Sequence, residues 1–185
     1  VDLKIFDLVD VVLGKQRSTI VGRGIAPVKY KCFTADFQSV IRDYLKLNRA
    51  LFVSGAYIGT DLFNSGDKSD IDFAENNLHL SFIGNLATKG AVATTTTRSA
   101  VCLPSRDYHF CREYRPDFYT VNSVDGIVAT KGATPLMRYP DSRLAAAVGY
   151  KGDHSTFVMT FPFESITDKG QRDDLMHDIV KYLLY

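Results

Sequence analysis

The spacing of apolar residues predicts alternating strands and helices in the first part of the chain. Residues 6–14, FDLVDVVLG, are rich in Val and Leu and end at a glycine, which predicts a strand near the centre of a sheet. Residues 35–48 carry apolar side chains at three- and four-residue intervals, which indicates an amphipathic helix capped by Thr34 or Asp36. A second apolar strand follows at 49–55. The order strand, helix, strand predicts a parallel pair with a right-handed crossover.

Between the first strand and the helix, residues 15–34 contain glycines and a proline without a clear period and predict a loop. Further on, a helix capped by Ser69 or Asp70 leads into another strand, LHLSFI. Beyond it the helical spacing ends, and turn sequences such as VDG separate β-prone stretches. Ala145–Tyr150 and Thr156–Phe161 flank the turn YKGDHS and predict an antiparallel hairpin.

The chain closes on a predicted helix with Thr167 or Asp168 as its cap. Its apolar face comprises Leu175, Ile179, Val180, Leu183 and Leu184. These elements together predict an α/β layer protein with a parallel centre and an antiparallel C-terminal half. With neither a linker nor a repeat, residues 1–185 are predicted to form a single domain.

Composition narrows the range of functions. Hydrophobic residues make up 45% and charged residues 23% of the 185 residues, which is typical of a globular protein. The formal net charge is +1 and the basic residues are scattered, so a nucleic-acid partner is not expected. No apolar stretch approaches the roughly 18 residues of a membrane span, so none is predicted.

Cysteines and acidic residues give no metal motif. Cys32, Cys102 and Cys111 contain no C-x-x-C pair. Either Cys102 and Cys111 form a disulfide in an exported protein, leaving Cys32 free, or all three are unpaired thiols. The acidic stretch 61–75 departs from the EF-hand pattern and the four histidines lie far apart, so no metal site is predicted.

Two motifs lie at predicted strand ends. The second strand runs into Gly55-Ala56-Tyr57-Ile58-Gly59, with the glycine spacing of a nucleophile elbow but tyrosine at its centre. It is either a ligand-facing turn or simply a tight turn between strand and helix. The last strand runs into FPFES, which places Glu164 where open α/β sheets gather functional groups. Alternatively, Glu164 is a helix cap or a partner for Arg172.

Taken together, these motifs resemble class I glutamine amidotransferase-like domains, which have a flavodoxin-like fold. In that family the elbow is G-x-C-x-G and the last strand leads into F-H-P-E. The resemblance implies a three-layer flavodoxin-like sheet, with Tyr57 at the cysteine position, Pro162 at the histidine position and only Glu164 matching. It therefore implies a domain without glutaminase activity, because neither replacement supplies the nucleophile or the base.

A closer resemblance covers most of the chain from Phe6 onward. LFVSGAYIGTDL and TFPFESITDKGQRDDLMHDIVKYLL are similar to stretches in large exported bacterial proteins named xanthan lyases or oxidoreductases. This resemblance implies export, other domains of the same polypeptide as partners, and a polysaccharide association. It also implies a fragment that lacks its first strand–helix unit. No cofactor is expected, because Gly22-Arg23-Gly24 lies in a loop without the third glycine of a dinucleotide motif.

Two functions follow from these observations. The first is a non-catalytic amidotransferase-like module that works in binding or architecture. The second is a hydrolase or lyase on a carbohydrate or amide, using Tyr57 and Glu164 with Arg138 or His154 at the carboxyl edge of the sheet. The predicted ligand-binding residues are Gly55, Ala56, Tyr57, Gly59, Arg138 and Glu164, and Tyr57 and Glu164 form the vestigial catalytic site.

Overall fold

A mixed β-sheet with helices packed against it dominates the computed structural model, which describes residues 2–17, 19–20, 28–96 and 103–185. The strands are β1 (Leu8–Gly14), β2 (Thr19–Ile20), β3 (Val28–Lys29), β4 (Ala50–Gly55), β5 (Leu80–Gly84), β6 (Val92–Thr95), β7 (Asp107–His109), β8 (Gly126–Ala129), β9 (Thr134–Arg138), β10 (Ala145–Lys151) and β11 (Ser155–Met159). The α-helices are α1 (Ala35–Leu45), α2 (Ile58–Phe63), α3 (Lys68–Asn76) and α4 (Lys169–Leu184), and short 3-10 helices lie at Leu3–Ile5 and Phe163–Ser165. The mixed α/β class predicted from the sequence is therefore confirmed.

The parallel part of the sheet consists of β1, β4 and β11. β4 pairs in parallel with both β1 and β11, so the predicted parallel pair is confirmed. The prediction that the first strand is central is wrong, because within the described chain β1 ends the sheet path β1-β4-β11-β10-β9-β6-β7. Val9, Val11 and Leu13 pack against the core whereas Val12 is 55% exposed, the alternation of a strand buried on one face.

The remaining pairs of the sheet are antiparallel. β10 and β11 form the predicted hairpin, with Tyr150 opposite Thr156. β8 and β9 both reach β10 at Ala145, through Ile127 and Arg138, so the sheet forks at this residue. In the segment predicted as loop, β2 and β3 form an antiparallel ribbon, and two-residue strands are too short to produce a sequence period.

Side-chain caps fix the starts of the helices. The Thr34 hydroxyl accepts from the backbone N–H of residue 37 at the start of α1, as predicted. α3 is capped by Asp67 rather than Ser69 or Asp70, because the Asp67 carboxylate accepts from the backbone N–H groups of both. Asp168 caps α4, which confirms that prediction.

Two apolar clusters lie against the sheet. One contains Phe157 from β11 and Leu175, Ile179 and Leu183 from α4. The other contains residues of α1, α2 and α3 with Val53 from β4. Of the apolar face predicted for α4, Leu184 is 40% exposed and Val180 is half-buried, because only three of the five positions point at the sheet. Among the described residues, no helix has both the length and the apolar character needed to cross a membrane.

Candidate functional site

The carboxyl ends of the parallel strands bring most of the predicted residues to one edge of the sheet. β1 ends at Gly14 and β4 at Gly55, and the Ala56 N–H donates to the Gly14 carbonyl at 2.8 Å. Glu164 follows β11 at the same edge, and a methyl group on Gly14 would lie 3.3 Å from its Oε1 atom. The edge therefore collects Gly55, Ala56, Tyr57, Gly59 and Glu164 next to the end of β1.

Close packing accounts for both glycines of the turn. A methyl group on Gly55 would lie 2.8 Å from Leu13 Cβ, and one on Gly59 would lie 2.4 Å from Phe82 Cδ2. Side chains at these positions would hold β4 away from β1 and α2 away from β5. Tyr57 itself has φ −132° and ψ 34°, outside the left-handed region. The segment has the geometry of a tight turn that needs glycine at its borders, without positive-φ strain at its centre.

Tyr57 is a core residue whose hydroxyl group already has a hydrogen-bond partner. Its side chain is 7% exposed, and its hydroxyl lies 2.8 Å from Ser123 Oγ. The Arg17 guanidinium carbon sits 4.7 Å from the ring centroid, so the ring is covered by a cation. The phenol therefore shares a hydrogen bond with another hydroxyl, and Ser123 is no general base.

Asp125 holds this turn in place through hydrogen bonds, and no sequence motif predicted this role. Its carboxylate accepts from the Thr60 N–H at 2.6 Å and from Thr60 Oγ1 at 2.7 Å. Its own N–H donates to the Ala56 carbonyl at 2.9 Å. Asp125 is fully buried, and burial raises its pKa to about 6 despite the hydrogen bonds it accepts. In the sequence the residue is only part of the turn VDG, 65 positions from Thr60.

Glu164 takes Tyr119 as its partner, not the predicted Arg172. The Tyr119 hydroxyl donates to Glu164 Oε1, while Arg172 donates to the carbonyl of Ile166. Burial and the nearby carboxylate hold the Tyr119 pKa well above its usual range, so the phenol stays protonated and keeps donating. Glu164 Oε2 is buried without a hydrogen-bond partner among the described residues.

A second carboxylate accompanies Glu164. Asp10, on β1, keeps solvent-exposed surface but is partly desolvated, which raises its pKa to about 6, and the negative charge of Glu164 adds to this rise. On the same side of the edge, Lys15 donates to the Thr120 carbonyl at 2.6 Å and lies 5.8 Å from the Tyr119 ring centroid. We call these four residues the carboxylate group: Asp10, Lys15, Tyr119 and Glu164. The group combines hydrogen-bonding side chains with the ring of Tyr119, a residue that is 39% exposed.

Arg138 does not join this group. It ends β9, which is three strand positions from β4, or roughly 14 Å at the usual strand spacing. Its guanidinium donates to the carbonyl of Arg143 at 3.1 Å. The prediction that Arg138 shares a site with Tyr57 and Glu164 therefore finds no support in the sheet order.

His154 lies at the opposite edge from the one predicted. Ser155 pairs with Ala50, the first residue of β4, so the turn before β11 is at the amino edge of the parallel strands. There, His154 Nε2 lies 3.1 Å from Nε2 of His79, and His154 Nδ1 lies 3.0 Å from Asp153 Oδ1. Burial, followed by the neighbouring His154, lowers the His79 pKa to about 4. The two histidines are 75 positions apart, so no sequence spacing could reveal the pair.

The acidic stretch predicted to hold no metal uses its carboxylates for structure. Asp61 accepts from the backbone N–H groups of Cys32 and Phe33, both at 3.0 Å. Asp70 accepts from Gln38 at 2.6 Å. In the part of the chain that the structure covers, no three His, Cys, Asp or Glu side chains are arranged to hold a metal ion.

The predicted cysteine alternatives concern Cys102, which falls outside the described residues. Its possible partner Cys111 is buried, and its thiol donates to the carbonyl of Glu113 at 3.0 Å. The position of Cys111 is thus defined, and the disulfide remains a prediction.

Comparisons with known proteins support the fold. No protein-family model matches the chain, and no curated protein matches it. Similar solved structures include the exo-β-1,4-mannosidase Op5Man5 from Opitutaceae bacterium strain TAV5, with 11% identity and a TM-score of 0.51 over 98% of this chain. The cytoplasmic protein STM3548 from Salmonella typhimurium has 12% identity and a TM-score of 0.57, covering 98% of this chain and 73% of its own.

A third similar structure is the mmIFT52 N-terminal domain, with 12% identity and a TM-score of 0.56 over 98% of this chain and 78% of its own. The present chain spans 25% of the mannosidase chain. At these identities the likenesses establish that the chain shares a fold with all three proteins, and they establish nothing about its chemistry.

Proposed function

We propose that the chain is a glutamine amidotransferase-like module, with three-layer flavodoxin-like packing, that binds a ligand at the carboxyl edge and does not hydrolyse glutamine. The apolar clusters built from α4 and from α1 to α3 support the layering. The observation that carries the functional part is the environment of Tyr57. Its hydroxyl is bonded to Ser123 and its ring is 7% exposed.

Amide transfer needs a nucleophile beside a base. A phenol that exchanges a hydrogen bond with a serine hydroxyl gains no base, and Pro162, at the family's histidine position, cannot move a proton. Glu164, which matches the family motif, accepts a hydrogen bond from the Tyr119 hydroxyl. These contacts favour a binding module over a working amidotransferase.

Carbohydrate is the ligand class that suits the carboxylate group best. A partly exposed Tyr119 ring can pack against a sugar face, while Asp10 and Lys15 can hydrogen-bond to hydroxyls around it and Glu164 holds the Tyr119 hydroxyl in place. One protein with this fold is named an exo-β-1,4-mannosidase. We further propose that the module belongs to an exported multidomain protein and works with other domains of that polypeptide.

Two measurements on the intact chain test this proposal. Ammonia release from glutamine should be undetectable, and activity that Tyr57→Phe abolishes would contradict a non-catalytic module. Calorimetric titration with manno-oligosaccharides and with uronic-acid oligosaccharides should give saturable binding. Tyr119→Ala should weaken this binding at least tenfold, whereas Tyr114→Ala, at a site that is 87% exposed, serves as the matched control and should leave it unchanged. Failure of every sugar to bind would reject the ligand class.

One observation favours a second function, a carbohydrate-active or amide hydrolase or lyase. Asp10 has a pKa of about 6 and feels the negative charge of Glu164, and a carboxyl group that holds its proton close to neutral pH can serve as a general acid. Tyr57 is the further residue predicted for this activity. If it operates, polysaccharide or amide turnover will be measurable and will be lost in both Asp10→Asn and Glu164→Gln. The binding proposal instead expects no turnover in either wild type or variant.

A further inference from the structure

Two arginines next to the fork in the sheet stand without counter-ions. Arg138 ends β9, and Arg143 lies in the turn that leads into β10; both side chains are exposed. Arg138 donates to the Arg143 carbonyl at 3.1 Å, which keeps the two residues together. Neither makes an ion pair with any described residue, although other surface arginines such as Arg42 and Arg106 do.

The turn that carries Arg143 is firmly held. Arg143 N–H donates to the Tyr139 carbonyl at 2.8 Å, and Tyr139 N–H donates to the Leu144 carbonyl at 3.0 Å. Asp141, the acid of this turn, is already used, because its carboxylate accepts from the backbone N–H groups of residues 89 and 142. Arg143 itself has φ +62°, a conformation that non-glycine residues adopt at a cost. The backbone thus holds Arg143 in an unfavourable conformation, with its carbonyl bonded to the Arg138 guanidinium.

A groove begins at these two arginines. It is a cavity of about 280 Å³ lined by β8, by β9 and by the start of β10. Apart from Arg138 and Arg143, the residues around it are apolar, and those with exposed surface include Val128, Pro135 and Leu144. A second cavity of about 370 Å³ on the other side of β9 shares the same two arginines. No acidic side chain among the described residues lines either cavity.

We propose that Arg138 and Arg143 form a binding site for a small phosphate monoester whose apolar body lies in the groove between β8 and β9. Guanidinium groups match phosphate oxygens in geometry, and two of them balance the charge of nearly −2 that a phosphate ester carries near neutral pH. The apolar lining supplies a surface for an uncharged aromatic or aliphatic body. The site is independent of the function proposed for the carboxyl edge, because its residues do not belong to the carboxylate group.

Isothermal titration of the intact chain at constant ionic strength, with phenyl phosphate, inorganic phosphate and benzoate, tests the site. Phenyl phosphate should bind at least tenfold more tightly than either of the others, because it alone has both the dianionic group and the apolar body. Arg138→Gln should weaken its binding at least tenfold. Arg143→Asn should do the same, and asparagine tolerates the positive φ at this position.

Controls separate the site from general charge effects. Arg115→Gln removes an exposed arginine outside both cavities and should leave the affinity within twofold. Val128→Asp, at a groove position that is 39% exposed, should weaken phenyl phosphate at least tenfold while leaving the thermal midpoint close to that of wild type. The proposal is overturned if phenyl phosphate fails to bind at millimolar concentration, if both arginine variants retain wild-type affinity, or if Arg115→Gln is equally damaging. It is also overturned if inorganic phosphate or benzoate binds as tightly as phenyl phosphate.

Discussion

Replacing Gly59 by alanine tests why the turn at the end of β4 needs glycine. The new methyl group would lie 2.4, 3.0 and 3.2 Å from Cδ2, Cγ and Cβ of Phe82. Because the Phe82 Cβ is crowded too, turning the ring about its own axis cannot relieve the contact, and α2 must move away from β5. Overpacking of this kind costs about 1–3 kcal/mol. Alanine recovers at most about 1 kcal/mol of helix propensity, so a cost in the middle of that range, about 2 kcal/mol, leaves a net loss of stability of about 1–2 kcal/mol.

A double-mutant cycle isolates this contact. In a Phe82→Ala background the Cγ and Cδ2 atoms are gone, so Gly59→Ala should become neutral or stabilising by up to about 1 kcal/mol. The free energy of unfolding would be measured by urea titration followed by far-UV circular dichroism. Gly84→Ala is the matched control, because no atom lies within 4 Å of its added methyl group.

The cycle has a clear refuting result. If Gly59→Ala costs the same in both backgrounds, or costs nothing in wild type, the glycine is not required by the approach of α2 to β5. A role in ligand contact would then be the better explanation of the motif. If the coupling with Phe82 is found, packing accounts for this glycine without any catalytic elbow.

Three other predictions follow from the buried polar groups. The His79 pKa is lowered from 6.5 to about 4 in the folded protein. Between these two pH values the unfolded chain binds a proton at this residue and the folded chain does not, so acidification favours unfolding. Stability should drop by about 2 kcal/mol more between pH 7 and pH 5 in wild type than in His79→Gln, whereas His177→Gln should keep the wild-type slope in urea titrations. Asp125→Ala leaves two buried donors unpaired and should cost about 2–4 kcal/mol by urea unfolding at pH 7, against less than about 0.5 for the exposed Asp117→Ala. Arg112 donates to three backbone carbonyls, so Arg112→Met should cost about 2–3 kcal/mol in the same assay, and a loss below about 0.5 would show that these bonds add no net stability.

Local pattern determined much of the fold. The helices after residue 34 and after residue 168, their caps and the hairpin of β10 and β11 follow from side-chain period and turn chemistry. These features depend on residues within about one or two turns of each other, so backbone sterics and the burial of one face are sufficient to specify them. For the same reason the glycine turn and the position of Glu164 after a strand could be read from the sequence.

Tertiary structure decided which of these segments meet. It placed β1 at the described edge of the sheet, separated Arg138 from Tyr57, and paired His79 with His154 across 75 positions. It also gave Glu164 its Tyr119 partner across 45 positions. Such contacts depend on strand order and register, which are set by how whole faces of the sheet and helices bury each other. One sequence window contains only one side of each contact, so its pattern fixes the element and leaves the partner open.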